Sequence, residues 1–301
     1  MATTVATINQ SLVDKKVIEG LRSILPVLSA ISYRPVTEGK IKNDSIYVPI
    51  ATDPTAQSKT AGTLVTANGT LAGTQVQLSN HYAAGWQFNE GEVPADLFPE
   101  AWADKVSGSV YALAKQVVDA TLALVTASNY GDSEGTDKLT VAIADFGMSD
   151  LATLWQYGAA KIKQRQRTFI MGPSVAGAIF GESVITSSFS NVGNNLVATG
   201  NIPNLLGMPA IMYDAFPNNS ENLASCIVGK AAMLACSAPP QALGAAGEGA
   251  VSESRVIMDP DSGISVLYKS TIEVGGAVKG ECSILYGVAK GQNAAVRHET
   301  A

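Results

Sequence analysis

Between Pro94 and Asn129 a single apolar stripe runs along the chain. Trp102, Val106, Val110, Leu113, Val117 and Leu124 stand three, four or seven residues apart, and Val118, Leu122 and Val125 widen the stripe on one side. That spacing puts them on one face of an α-helix. About thirty residues of helix reach roughly 45 Å, well beyond an average globular helix. Gly108 inside it costs about 1 kcal/mol against alanine. Asp96 or Asp104 marks the expected start, and "SNYG", ending at Gly131, the expected stop. A chain of 301 residues forms one large domain or two modest ones. In either, a helix of this length is a strut along which the other elements must be arranged.

The segments before the strut are of two kinds. Residues 11–33 read as a helix ended by Pro26, with Lys15, Lys16, Glu19 and Arg22 on its wet side, then an apolar extension. "SIYVPI" from Ser45 to Ile50 is a strand, with Pro49 marking an edge or a bulge. In "TQVQLSNHYAAGWQF", Val76, Leu78, Trp86 and Phe88 fall at period-two positions, the pattern of a strand. Between these lies the stretch 51–74, small, Thr-rich and Gly-rich, with Asn68-Gly69 as a tight-turn signal. It is too poor in large apolar residues to hold a core of its own, so it reads as a long, weakly anchored excursion between two strands.

After the strut, residues 139–180 alternate helix and strand. Ser149 is the expected cap of "DLATLWQYGAAKIKQRQ", whose Leu151, Leu154, Trp155, Ala159 and Ile162 form one face. "TFIMG" is a short buried strand and Pro173 opens the next helix. Residues 183–200 read as a polar loop. "GNIPNLLGMPAIMYDAFPNN" then turns at Gly207, fixes its backbone at Pro203 and Pro209, and continues as the strand "AIMYD". "LASCIV" is the next strand, with "GKAAMLA" a short helix or turn after it. The tail is strand: "ESRVIMDPDSGISVLYKSTIEV", turning at Asp261-Ser262-Gly263, and "GECSILYGVA".

Chemistry is scarce along this framework. The only histidines are His81 and His298, which undercuts a His-rich zinc site and most Ser-His-Asp arrangements. "GAAGEG" at Gly244–Gly249 lacks the order of a dinucleotide loop, and "DPDSG" at Asp259–Gly263 lacks the rest of a calcium loop. Glu90, Glu92 and Asp96 have no visible partner and read as a solvated loop. Cys226, Cys236 and Cys282, odd in number and set among apolar neighbours, read as buried reduced thiols. The basic cluster Lys161, Lys163, Arg165 and Arg167 reads as the solvated end of a helix, complementing its dipole. With 20 basic against 26 acidic residues, the formal net charge of −6 does not favour a tight grip on phosphate backbones. The first residues show no signal-peptide pattern, and no apolar run approaches the ~20 residues of a membrane helix. No catalytic, cofactor-binding or metal-ligating residue is expected.

"NLLGMPAIMYDAFP" followed by "NLASCIVGKAAMLA", with "RTFIMGPSVAGAIF" before them, resembles the axial lobe of the major capsid proteins of tailed bacteriophages, the HK97-like fold. The order of segments over most of the chain is similar to that family as well. The resemblance implies an α+β fold in five parts. These are an N-terminal arm at 1–44, an E-loop hairpin with flanking strands at 45–90, a peripheral domain with a spine helix at 91–138, an axial domain at 139–248, and return strands of the peripheral domain with the C-terminus at 249–301. It implies a homo-oligomer of pentamers and hexamers tiling an icosahedral shell around double-stranded DNA, in a virion assembled in bacterial host cytoplasm. With no long N-terminal extension in the sequence, it also implies a separate scaffolding protein, and a portal.

The excursion is the family's E-loop, and the resemblance makes Gln57, Lys59, Thr60, Leu64 and Asn68 its contacts to a neighbouring subunit. Some relatives cross-link their shells through a lysine on this loop. Lys59 is the one lysine between Lys42 and Lys105, but the sequence shows neither the carboxylate nor the desolvation such a reaction needs, so an ordinary surface lysine is the expectation. Two other readings stay open: an encapsulin shell of the same fold enclosing a protein cargo, and a non-viral α/β enzyme or adhesin.

Overall fold

The computed structural model describes residues 10–22, 25–51, 58–59, 71–89, 91–162, 167–181, 204–241, 251–272 and 276–301. Two helices, α1 (Gln10–Arg22) and α2 (Leu25–Ser29), lead into strands β1 (Ser32–Pro35), β2 (Ser45–Ala51), β3 (Leu71–Gln77) and β4 (Asn80–Phe88). The long α3 (Phe98–Leu122) and the single turn α4 (Ala127–Tyr130) follow. Next come β5 (Lys138–Thr140), α5 (Met148–Lys161), β6 (Arg167–Met171), α6 (Pro173–Gly181), β7 (Asn204–Leu205), β8 (Met208–Met212) and β9 (Leu223–Gly229). The chain closes with β10 (Met233–Ala238), β11 (Val251–Met258), β12 (Ser265–Ile272), β13 (Val278–Lys290) and β14 (Ala295–Glu299).

The strut is present but shorter than its stripe. Trp102, Val106, Val110, Leu113, Val117, Val118 and Leu122 are all buried along one side of α3. Its first turn holds a proline, and Leu97 at the N-cap position supplies no side-chain cap, so neither Asp96 nor Asp104 starts it. It stops at Leu122 because Asn219, from the connection between β8 and β9, donates from Nδ2 to the carbonyls of Leu122 at 2.9 Å and Val125 at 2.8 Å. The Leu122 carbonyl also receives the Val125 N–H at 3.0 Å, so the last turn tightens as Asn219 closes over it. Gly131, at φ +95°, ends α4 instead. α1 lies close against α3: a Cβ at Gly20 would stand 3.0 Å from the Ser107 carbonyl oxygen. Pro26 does not end α1. It sits in the first turn of α2, where its missing N–H costs nothing.

Two six-stranded sheets flank the strut. The first runs β1-β10-β13-β12-β11, with β4 also paired to β13. β13 is 13 residues long, long enough to pair with β10, β12 and β4 in different registers along its length. The second runs β5-β14-β9-β6-β8-β7 and carries α5 and α6. One continuous core joins α1, α3 and both sheets, and a second, smaller one lies under the separate two-stranded hairpin β2–β3.

Sheet membership cuts across the expected segment boundaries. β10, from within 139–248, belongs to the first sheet, and β14, from within 249–301, lies inside the second, parallel to β5 and antiparallel to β9. "GKAAMLA" is a tight turn, closed by the Ala232 N–H on the Gly229 carbonyl at 2.8 Å, that runs directly into the fully buried β10.

Two local expectations change in the second sheet's layer. Gly147, not Ser149, occupies the N-cap of α5, and the Asp150 carboxylate accepts from the Gly147 N–H at 3.0 Å. Arg167 is not solvated. It is buried in β6, donates from Nε to the Ile162 carbonyl at 2.7 Å, and lays its guanidinium 5.2 Å from the Trp155 ring centre. Lys161 pairs with Asp137. Lys163 and Arg165 lie outside the described residues.

Candidate functional site

The feature the sequence singles out, a small-residue excursion, is rooted on a firm base. Ile46, Val48 and Ile50 of β2, Val76 of β3 and the adjacent Leu78 are buried against Leu234, Cys236 and Ala238 of β10 and Leu285 of β13. Alternate residues Ser45, Tyr47 and Pro49 face solvent, so this is a one-sided hairpin. Gly73 leaves room for the Tyr47 ring, since a Cβ there would fall 1.9 Å from Tyr47 Cζ. Ala51 pairs with Leu71, so residues 52–70 leave and return on adjacent strands. Lys59 is exposed and has no ion pair among the described residues. Gln57, Thr60, Leu64 and Asn68 lie outside the described residues, as do 183–200 and the "GAAGEG" stretch.

The residue types that carry chemistry are placed for structure. His81 is exposed on β4, paired across to Leu285. His298 is buried, stacked on Phe146 at 4.3 Å, with Nε2 3.1 Å from the Val141 carbonyl and Nδ1 2.9 Å from Ser225 Oγ. The carbonyl can only accept, so Nε2 carries the proton and Nδ1 accepts from the Ser225 hydroxyl. Burial pushes the His298 imidazole below its ordinary pKa. The three cysteines are free and buried, and burial pushes the Cys226 and Cys282 thiols up to about 12 and Cys236 to about 11, where they are inert.

Of the acidic residues singled out, Glu92 and Asp259 are engaged locally, Asp96 is exposed without a side-chain partner among the described residues, and Glu90 lies outside them. Glu92 accepts from the backbone N–H and the Nδ2 of Asn89, both at 2.8 Å. Asp259 accepts from the Ser262 N–H at 3.0 Å and pairs with Arg22, closing the hairpin turn where Gly263 sits at φ +72°. Among the described residues no group of His, Cys, Asp and Glu side chains is placed to hold a metal, and no helix is long and apolar enough to cross a membrane.

A network that sequence reasoning missed joins α4 and the turn after it to the second sheet. Arg297 on β14 is fully buried. It donates to Glu221, Glu299 and Asp132, and to the Gly131 carbonyl at 2.7 Å. Lys138 bridges Asp132 at 2.8 Å and Glu299 at 3.2 Å. Glu221 also accepts from the N–H of Ala127, in the first turn of α4, at 2.9 Å. The segment "AVRHE" alternates no apolar pattern that would announce a buried strand. Its polar residues are buried because their partners come from elsewhere in the chain: Gly131 and Asp132, Lys138 and Val141, and Glu221 and Ser225.

Among the described residues nothing assembles a nucleophile, a base and an oxyanion site. What they offer is a frame with a hairpin from which residues 52–70 leave and return on adjacent strands. No protein-family model and no curated protein sequence matches the chain. Solved structures do. The capsid of Ralstonia phage GP4 superposes with a TM-score of 0.53 at 9% identity, covering 89% of this chain and 86% of the other. The mature capsid of bacteriophage PhiM1 superposes at 0.51 with 11% identity, covering 90% of this chain and 86% of the other. The chain therefore shares the α+β fold of these two structures over about nine-tenths of its length.

Proposed function

We propose that the chain is a major capsid protein of the HK97-like kind, a subunit that assembles through closed rings of five and six copies into an icosahedral shell enclosing phage DNA. The observation that carries this reading is a pair: a fold shared with phage capsid structures over about nine-tenths of the chain, and an excursion with no core of its own rooted on a rigid hairpin. A segment that cannot bury itself gains most from burial on a neighbour. Rings follow from heterologous contacts that close, and tiling from repeating them.

In this reading α3 is the spine, the first sheet with α1 is the peripheral lobe, and the second sheet with α5 and α6 is the axial lobe. The C-terminal strand β14 belongs to the axial lobe and β10 to the peripheral one. Residues 52–70 form the E-loop, with Gln57, Lys59, Thr60, Leu64 and Asn68 as contacts to the next subunit. Lys59 is a surface lysine without a cross-linking role. A separate scaffolding protein and a portal complete the assembly. The net charge of −6 suits a lining that releases DNA instead of holding it.

Native mass spectrometry of the purified protein, followed by analysis of particle contents, tests this. Pentamers, hexamers and particles without a protein cargo are expected. A discrete dimer or tetramer under all conditions refutes the shell. Particles filled with one protein cargo assign an encapsulin instead.

A further inference from the structure

A cleft of about 560 Å³ opens between α2, β1, the root of β2 and the turns that follow β9 and β11. Its floor is apolar, made by Leu28, Ile31 and Val48, all buried. Its rim carries two cations, Arg34 and Lys230, both exposed, and one carboxylate, Asp261, whose charge is met by Arg22. Arg34 spends one N–H on the Tyr47 carbonyl at 2.6 Å, and neither cation has an ion pair among the described residues. The backbone of the Lys230 turn is fixed: Ser32 Oγ donates to the Lys230 carbonyl at 2.9 Å.

The opposite chemistry projects from the other end of α3. The connection from β4 runs exposed through Pro94, Ala95 and Asp96 to Leu97, which is 51% exposed. Glu92, Asp96 and Glu100 flank it, all exposed. Asp96 and Glu100 have no hydrogen-bond or ionic side-chain partner among the described residues. The result is an apolar tip ringed by carboxylates, facing solvent.

These two features cannot meet in one subunit. Tyr130, beyond the C-terminal end of α3, donates to the Ala232 carbonyl at 2.7 Å, which ties the Lys230 turn to that end. The acidic knob precedes Phe98 at the other end, and 25 residues of helix separate the two by roughly 37 Å. A ring held by heterologous contacts needs two different, complementary patches on each copy. We propose that the cleft seats the 92–100 knob of a second copy of this chain, with Leu97 over Leu28, Ile31 and Val48, and Asp96 and Glu100 against Arg34 and Lys230. This rests on the shell reading above and names a contact separate from the E-loop.

Charge exchange tests it. The cleft variant Arg34→Glu, Lys230→Glu keeps its thermal unfolding, since both side chains are exposed, and loses assembled particles by about tenfold or more in sedimentation, because repulsion repeats at every ring contact. Adding Asp96→Lys and Glu100→Lys to that variant restores particles. A reversed cleft that assembles like the wild type overturns the pairing while leaving the shell reading intact. Loss of particles without rescue also overturns it. So does normal assembly with reduced DNA content, which assigns Arg34 and Lys230 to phosphate. If the wild type itself never forms rings or shells, the shell reading has failed and the pairing with it.

Discussion

Gly287 of β13 lies so close to Gln77, the last residue of β3, that a Cβ there would stand 2.0 Å from the Gln77 carbonyl oxygen. Backbone meets backbone at this point, and neither side can rotate away. The hairpin that bears the excursion is thus seated directly on the long strand of the first sheet. Gly287→Ala must either strain β13 or lift the hairpin. The expected cost is about 2–3 kcal/mol, in the range of overpacked cores, read as a lower denaturant midpoint. Faster hydrogen exchange should be confined to β2 and β3. A variant as stable as the wild type would show that the hairpin is not seated this way.

Removing the excursion separates shell from subunit. Ala51 and Leu71 already face each other across the hairpin. Replacing 52–70 with Asn-Gly therefore makes a tight two-residue turn, with loop entropy changed by only about 1 kcal/mol. The variant is expected to melt like the wild type and to stay unassembled, because each copy loses its arm on the next. Sedimentation velocity decides it. Intact particles would mean that 52–70 is not an assembly arm, and an unfolded variant that it belongs to the subunit's own core.

The Arg297 network predicts a large effect on the stability of the subunit itself. Arg297→Met leaves Glu221 and Glu299 facing each other without their shared cation. Breaking a buried pair from one side costs about 3–5 kcal/mol. Urea unfolding should show that loss, while a change under about 1 kcal/mol would make the network ornamental.

His298 sets a pH dependence of definite sign. Its folded pKa lies below the unfolded value because burial disfavours the cation. Its contribution is therefore full above an unfolded value of about 6.5 and is lost as pH falls through the folded value. The groups facing it are Ser225, the Val141 carbonyl and, at longer range, Asp150. Between pH 7 and pH 5 the wild type should lose more stability than His298→Gln, measured as the difference in melting temperature. Parallel pH profiles for the two proteins would contradict this.

The apolar stripe made the long helix α3 legible from sequence, and the period-two residues of β2 and β3 made the hairpin that roots 52–70 legible, because both are local patterns. What was not legible came from distant partners. α3 ends at Leu122 because Asn219 reaches back to it. Arg167 is buried because Trp155 and the Ile162 carbonyl receive it. β14 lies inside the second sheet, although no apolar alternation in "AVRHE" marks a buried strand, because Glu221 and Asp132 satisfy Arg297 from outside the strand. The cleft was invisible for the same reason. Arg34 and Lys230 come together only when β1 pairs in parallel with β10.

Electron microscopy of the expressed protein, alone and with the proposed scaffolding protein, tests the central claim most directly. The account predicts closed shells of uniform diameter whose surface resolves into rings of five and six copies. Uniform small oligomers under both conditions, with no rings and no shells, would contradict it.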